Sequence, residues 1–156
     1  NAEGEGTPQQ VRALVDRMNA ARYFGRGQWT MRQLGLASVS LNYYNRDPAG
    51  IDLNALYRDS YTRYDLSPFP QGVHPYASFG HLDGYSAIYY TYLWSGVISA
   101  DLLTQFEANG LRDRATAQRY RDEVLAPGGA RPAAASIEAF LGRPFNLEAA
   151  RTRLER

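Results

Sequence analysis

Hydrophobic positions along this chain recur at helical rather than strand spacing. Val11, Leu14, Val15 and Met18 fall at i, i+3, i+4 and i+7, which makes one apolar stripe. Just ahead of them, Thr7-Pro8-Gln9-Gln10 holds three start signals: a capping threonine, a proline suited to the first helical position, and a glutamine able to reach back to the cap. The pattern predicts a first helix ending near Phe24, before Gly25 and Gly27. A second is predicted over about 29–43, stopped by Asn45, Asp47 and Pro48. Asp52 can cap a third, on which Leu53, Leu56, Tyr57 and Tyr64 share a side.

Between 67 and 84 the periodicity breaks. Pro68, Pro70, Pro75, Gly72, Gly80 and Gly84 crowd into this stretch, and each proline biases its predecessor away from helix. An eighteen-residue loop in a compact domain is long enough to suggest a function. The longest helix is then predicted over 85–109, with Gly110 just beyond its end. Shorter helices follow at 114–125, 133–141 and from 147 onward, the last with Asn146 as cap. No strand-like alternation of useful length occurs, and no internal repeat. The predicted fold is all-α, a bundle-like arrangement of helices interrupted by one glycine- and proline-rich loop.

Composition narrows the field. A chain of 156 residues fits one domain, expected over 7–156, behind a linker or expression scar at 1–6 that lacks the apolar core of a signal peptide. The net charge of +1 predicts no nucleic-acid partner. All 17 basic residues are arginine, interspersed with the acids as on a solvated surface. The longest uncharged run, seventeen residues over 84–100, falls short of the ~20 needed to span a bilayer. It is expected to be a buried helix, with no membrane partner. The absence of cysteine suits cytoplasm and periplasm alike.

Candidate chemistry is sparse. His74 and His81 are the two histidines, and neither sits in the His-Glu-x-x-His pattern that places two imidazoles one helical turn apart around a glutamate. No nucleophile elbow, phosphate loop or cysteine nucleophile is present. What stands out is a run of tyrosines after the loop. On a helix, Tyr85, Tyr89 and Tyr92 at i, i+4 and i+7 would point one way, with Tyr90 facing elsewhere. Such a stripe can be an aromatic core or a binding face. Its position behind a glycine-rich, histidine-bearing loop, where backbone can approach a ligand, favours the face.

Four elements then align with a known family. Phe24-Gly25-Arg26-Gly27 with Met31-Arg32-Gln33-Leu34 is one, and Phe79 to Ser95, containing Gly80-His81, Gly84-Tyr85 and Tyr89-Tyr90-Thr91-Tyr92-Leu93-Trp94, is another. Tyr120-Arg121 through Gly128-Gly129, and Phe140-Leu141-Gly142-Arg143-Pro144, complete the set. In this order they resemble the thimet-oligopeptidase-like zinc metallopeptidases, peptidase family M3. Only Leu82-Asp83-Gly84 separates His81 from Tyr85, a short loop like that of the branch resembling mitochondrial intermediate peptidase.

The resemblance implies hydrolysis of short, unfolded peptides by a zinc-bound water, with a glutamate taking its proton. It implies that Tyr92 donates to the tetrahedral oxyanion with His81 assisting, while Tyr85, Tyr89 and the mobile Gly80 and Gly84 backbone meet the substrate. The family's His-Glu-Phe-Gly-His helix and its third zinc ligand have no counterpart in this sequence. The chain is therefore expected to be a C-terminal, substrate-facing piece that holds no zinc itself. Its partners would be peptides and the zinc-bearing segment, and it is expected to self-associate and to be inactive alone. The alternative is a stand-alone helical peptide-binding module, and a third possibility is a purely structural bundle with its tyrosines packed inside.

Overall fold

The computed structural model describes residues 6–155, and the described residues form seven α-helices and no strand. Of the linker expected at 1–6, only Gly6 lies among them, and it is exposed. The first helix, α1 (Pro8–Ala21), begins on the capping box legible in the sequence. Thr7 Oγ1 accepts from the Gln10 amide at 3.3 Å, and Gln10 Oε1 accepts from the Thr7 amide at 2.7 Å. Its apolar stripe packs on nothing comparable: none of its residues is buried.

Helix α2 (Arg26–Tyr44) starts three residues earlier than predicted, on Gly25 in the left-handed region at φ 73°. Helix α3 (Leu53–Tyr61) is capped by Asp52, whose Oδ1 accepts from the amides of Asn54 and Ala55. These two helices pack together around Val39, Ser40, Tyr57 and Ser60, all buried. Close approach is helped by Gly35, where an added Cβ would come within 3.2 Å of the Tyr61 ring. Asn42 Nδ2 donates to Ser60 Oγ across the same seam at 2.9 Å.

The second half is built on α4 (Thr91–Asn109). Around it lie α5 (Arg114–Tyr120), which runs on into a wider π-type turn at Arg121–Leu125, then α6 (Ala133–Leu141) and α7 (Glu148–Leu154). Ile137, Phe140 and Leu141 form the core here, with Ile98, Leu102, Phe106, Tyr120, Val124 and Phe145 packed against them. Phe106, Tyr120 and Phe140 make a closed ring cluster with centroids 5.4–5.9 Å apart. The Phe-Leu-Gly-Arg element ends α6: Phe140 and Leu141 enter the core, Gly142 reverses the chain at φ 73°, and Arg143 turns back to Asp101. The Asp101 side chain is 1% exposed, and it accepts from Arg143 Nη2 at 2.6 Å, Arg143 Nη1 at 2.9 Å and the Asn146 amide at 2.8 Å.

Two expectations are corrected. The helix predicted from residue 85 begins at Thr91, because Gly84 (φ 87°) and Ala87 (φ 62°) both take left-handed backbone that a right-handed helix cannot contain. Nor is the uncharged run a buried helix. Its neighbours α6 and α7 cover the second half of α4, so Ala100 and Asp101 are buried while Tyr92 and Trp94 stay exposed. No described helix is long and apolar enough to cross a membrane.

Candidate functional site

The segment between α3 and α4 folds back through two short 3₁₀ turns, Pro75–Ser78 and Gly80–Leu82. It is fastened where Tyr44, at the end of α2, donates its hydroxyl proton to the Leu82 carbonyl. That tie sets the position of the adjacent His81. The imidazole then reaches the first turn of α4, where its Nε2 lies 2.8 Å from the Tyr92 hydroxyl.

The sequence-predicted residues meet here, though by a different route from a shared helix face. Tyr92 stands on α4, whereas Tyr85 and Tyr89 come from the turns before it, bent inward by Gly84 and Ala87. His81 is the hub. Its ring lies edge-on to Tyr89 at 4.9 Å and to Tyr92 at 5.6 Å, with Tyr85 at 6.1 Å. Tyr89 also touches Tyr92, at 5.1 Å between centroids. Tyr90, expected to face elsewhere, is exposed. Gly80 opens the turn that carries His81, and a Cβ there would meet nothing within 4 Å. His74 stacks edge-on against Tyr76 and stands outside the cluster.

The cluster forms a wall between two open grooves. One, of about 540 Å³, is lined by Arg32, Tyr57, Phe79 and Gly80 together with His81, Tyr85 and Tyr89. The other, of about 330 Å³, is lined by Ile88, Thr91 and Ser95 with Tyr92 and the same three rings. Both fall in the size range of small-ligand sites, ~300–1,000 Å³. Burial pushes the Tyr89 hydroxyl above its ordinary pKa, and the neighbouring Tyr92 adds to the rise. This phenol therefore keeps its proton through neutral pH.

Sequence reasoning gave no role to Phe79, which packs edge-on against Tyr89 at 5.2 Å and fixes that ring from behind. Arg32 was visible only as part of a motif, and nothing in its helical spacing foretold that it would border the groove. Among the described residues, no group of three His, Cys, Asp or Glu side chains is arranged to hold a metal ion. The two histidines stand apart from one another in their contacts, and His81 is already engaged by a phenol. The described residues do not fit a zinc site.

Comparison with known proteins places this arrangement in a family. The sequence model of peptidase family M3 matches residues 3–155. The thimet-like oligopeptidase of Dictyostelium discoideum is 39% identical over 135 residues, covering 85% of this chain and 20% of its own length. Oligopeptidase A of Escherichia coli (strain K12) is 32% identical over 151 residues, covering 94% of this chain and 22% of its own. The organellar oligopeptidase A of Arabidopsis thaliana is 35% identical over 151 residues, covering 90% and 18%. The chain thus spans about a fifth of the length of these curated relatives. A match of that extent, carried through all seven helices, makes this chain a member of peptidase family M3, a family of zinc-dependent peptidases.

Proposed function

We propose that this chain supplies the substrate-facing and oxyanion-stabilising side of a zinc oligopeptidase, and that the zinc ligands lie in a segment outside it. The observation that carries this reading is the bond between His81 Nε2 and the Tyr92 hydroxyl, set in the wall shared by two grooves. Attack on a peptide carbonyl builds negative charge on its oxygen, and a pre-aimed O–H lowers the energy of that state more than of the ground state. Tyr92 can donate in this way only if its proton is free. It is free when His81 carries hydrogen on Nε2 and donates to the phenolic oxygen, so His81 acts by its tautomer as well as its position. Tyr85 and Tyr89 line both grooves and meet the peptide backbone from either side, with the turns at Gly80 and Gly84 adjusting to its sequence.

The unburied stripe of α1, with Val11, Leu14, Val15 and Met18 each 45–63% exposed, is assigned to packing against the zinc-bearing segment. Without that segment the same stripe would drive self-association, and the isolated chain would cleave nothing.

Tyr92→Phe in the full-length protein tests the reading, since it deletes one oxygen and keeps the ring. kcat for a quenched peptide should fall roughly 10²–10³-fold with KM nearly unchanged. Tyr90→Phe should stay within a few-fold. Adding His81→Gln to Tyr92→Phe should cost little more, because the two act as one unit. A Tyr92→Phe enzyme with kcat near wild type would remove the oxyanion role. A full-length protein that binds peptides without cleaving them would be the non-catalytic binding module instead.

A further inference from the structure

The larger groove has one permanently charged side chain among its described lining residues. Arg32, on α2, borders it opposite Phe79, His81 and Tyr89. The same guanidinium also borders a neighbouring groove of about 420 Å³ with Tyr61, Asp65 and Phe69, and a smaller one with Gly25 and Trp29. It stands where three depressions meet.

Arg32 is exposed, and among the described residues no ion pair or side-chain hydrogen bond engages it. Arg26, Arg131, Arg143 and Arg153 are all committed to carbonyls or carboxylates. Among the described residues, by contrast, no carboxylate lies within 4 Å of the Arg32 guanidinium. The acid that its charge reaches, Asp65, is bonded by the Tyr61 hydroxyl and the Ser67 amide, and it borders the two side grooves rather than the main one. Arg32 nevertheless acts on what surrounds it: burial raises the phenols of Tyr57, Tyr61 and Tyr89, its charge offsets part of each rise, and it adds a small pull that favours the ionised Asp65 carboxylate. An exposed arginine with no bonded carboxylate, bordering a groove lined by no acidic side chain, matches a planar carboxylate in two-point contact.

We propose that Arg32 is a specificity-determining residue that anchors a carboxylate of the bound peptide, either its free C-terminus or an acidic side chain, and so sets how the peptide lies past His81 and Tyr92. The proposal rests on the reading of the grooves as a peptide site. A peptide held at this point is registered by its charge rather than by side-chain shape, leaving the aromatic wall to accept varied sequences.

The test compares the full-length wild type with Arg32→Gln and Arg32→Lys on three probes. One is a pentapeptide without acidic side chains as the free acid, the second is its C-terminal amide, and the third is the amide of a variant with one glutamate. Hydrolysis gives KM and kcat, and calorimetry gives Kd independently of cleavage. Arg32→Gln should weaken the free acid roughly tenfold to a hundredfold in KM and Kd with kcat little changed, leave the neutral amide within a few-fold, and be partly rescued by lysine. If the loss falls on the glutamate amide instead, the anchored group is a side chain. Equal loss on all three probes, or none on any, overturns the anchor. Wild type that binds none of them removes the peptide-site reading itself, and the anchor with it.

Discussion

Two aromatic clusters share this molecule and are built to opposite ends. Around α6, Phe106, Tyr120 and Phe140 close on one another beneath α4, and Phe140 is 1% exposed. Around His81, the rings of Phe79, Tyr89 and Tyr92 are spaced at least as tightly, yet Tyr85 and Tyr92 keep 60% and 55% of their surface in solvent. The polar bonds follow the same division. Asp101, itself buried, is gripped by both Nη atoms of a partly exposed Arg143, whereas His81 and Tyr92 meet in the open. Ring spacing alone therefore does not tell core from site. What separates them is how many helices contribute: Phe106, Tyr120 and Phe140 come from α4, α5 and α6 and cover one another, whereas the outer rings come from one loop and the first turn of α4.

Truncating one ring in each cluster is the sharpest way to break that contrast. Phe140→Ala opens a cavity in a region that cannot collapse, and should destabilise the fold by about 3–5 kcal/mol in urea melts. Tyr85→Ala should change stability by less than about 0.5 kcal/mol, since the ring is mostly solvated. Similar losses for both would mean the outer cluster is a core after all.

The polar pair gives a pH test of intermediate size. Hydrogen bonds from Arg143 hold the Asp101 carboxyl below the ordinary carboxylate range. A depressed folded pKa means the contribution is complete above the unfolded value, near pH 4, and is lost as pH falls through the lower folded value. The stability gap between wild type and Asp101→Asn should hold from neutral pH to about pH 4 and then narrow in acid. Arg143→Ala, which strands a buried carboxylate, should cost about 3–5 kcal/mol at neutral pH and recover in part as that group protonates.

The smallest expected effect is at Ala87, the one described non-glycine residue with positive φ. Left-handed backbone costs alanine about 1–2 kcal/mol, and glycine would relieve it while loosening the unfolded chain by about 0.4–1 kcal/mol. Ala87→Gly should therefore leave stability unchanged or raise it by up to about 1.5 kcal/mol. A clear loss would show that this turn is not left-handed.

Legibility in the sequence followed the range of the interactions. Helix ends set by one neighbouring side chain or glycine were readable: the Thr7 box, the Asp52 cap, and the stop at Gly110. The start of α4 was not, because period counting extended the tyrosine spacing through Ala87, a residue type that gives no warning of left-handed backbone. Tyr85, Tyr89 and Tyr92 were singled out correctly as neighbours, but a loop wrapped around His81 gathers them, not a helix face. Asp101 drew no reading from the sequence, since its partner lies 42 positions away. Arg32 sat unnoticed within a familiar motif, because only the folded loop shows which groove it borders.

That separation of 42 positions also bears on how the chain is made. Synthesis at ~5–20 residues per second puts roughly 2–8 s between the addition of Asp101 and that of Arg143. Throughout that interval α4 carries a carboxylate with no counter-charge to bury it, so its inner face must stay wet. Burying Asp101 before Arg143 has been made would be costly, so closing of this core is coupled to the arrival of the segment that follows α6.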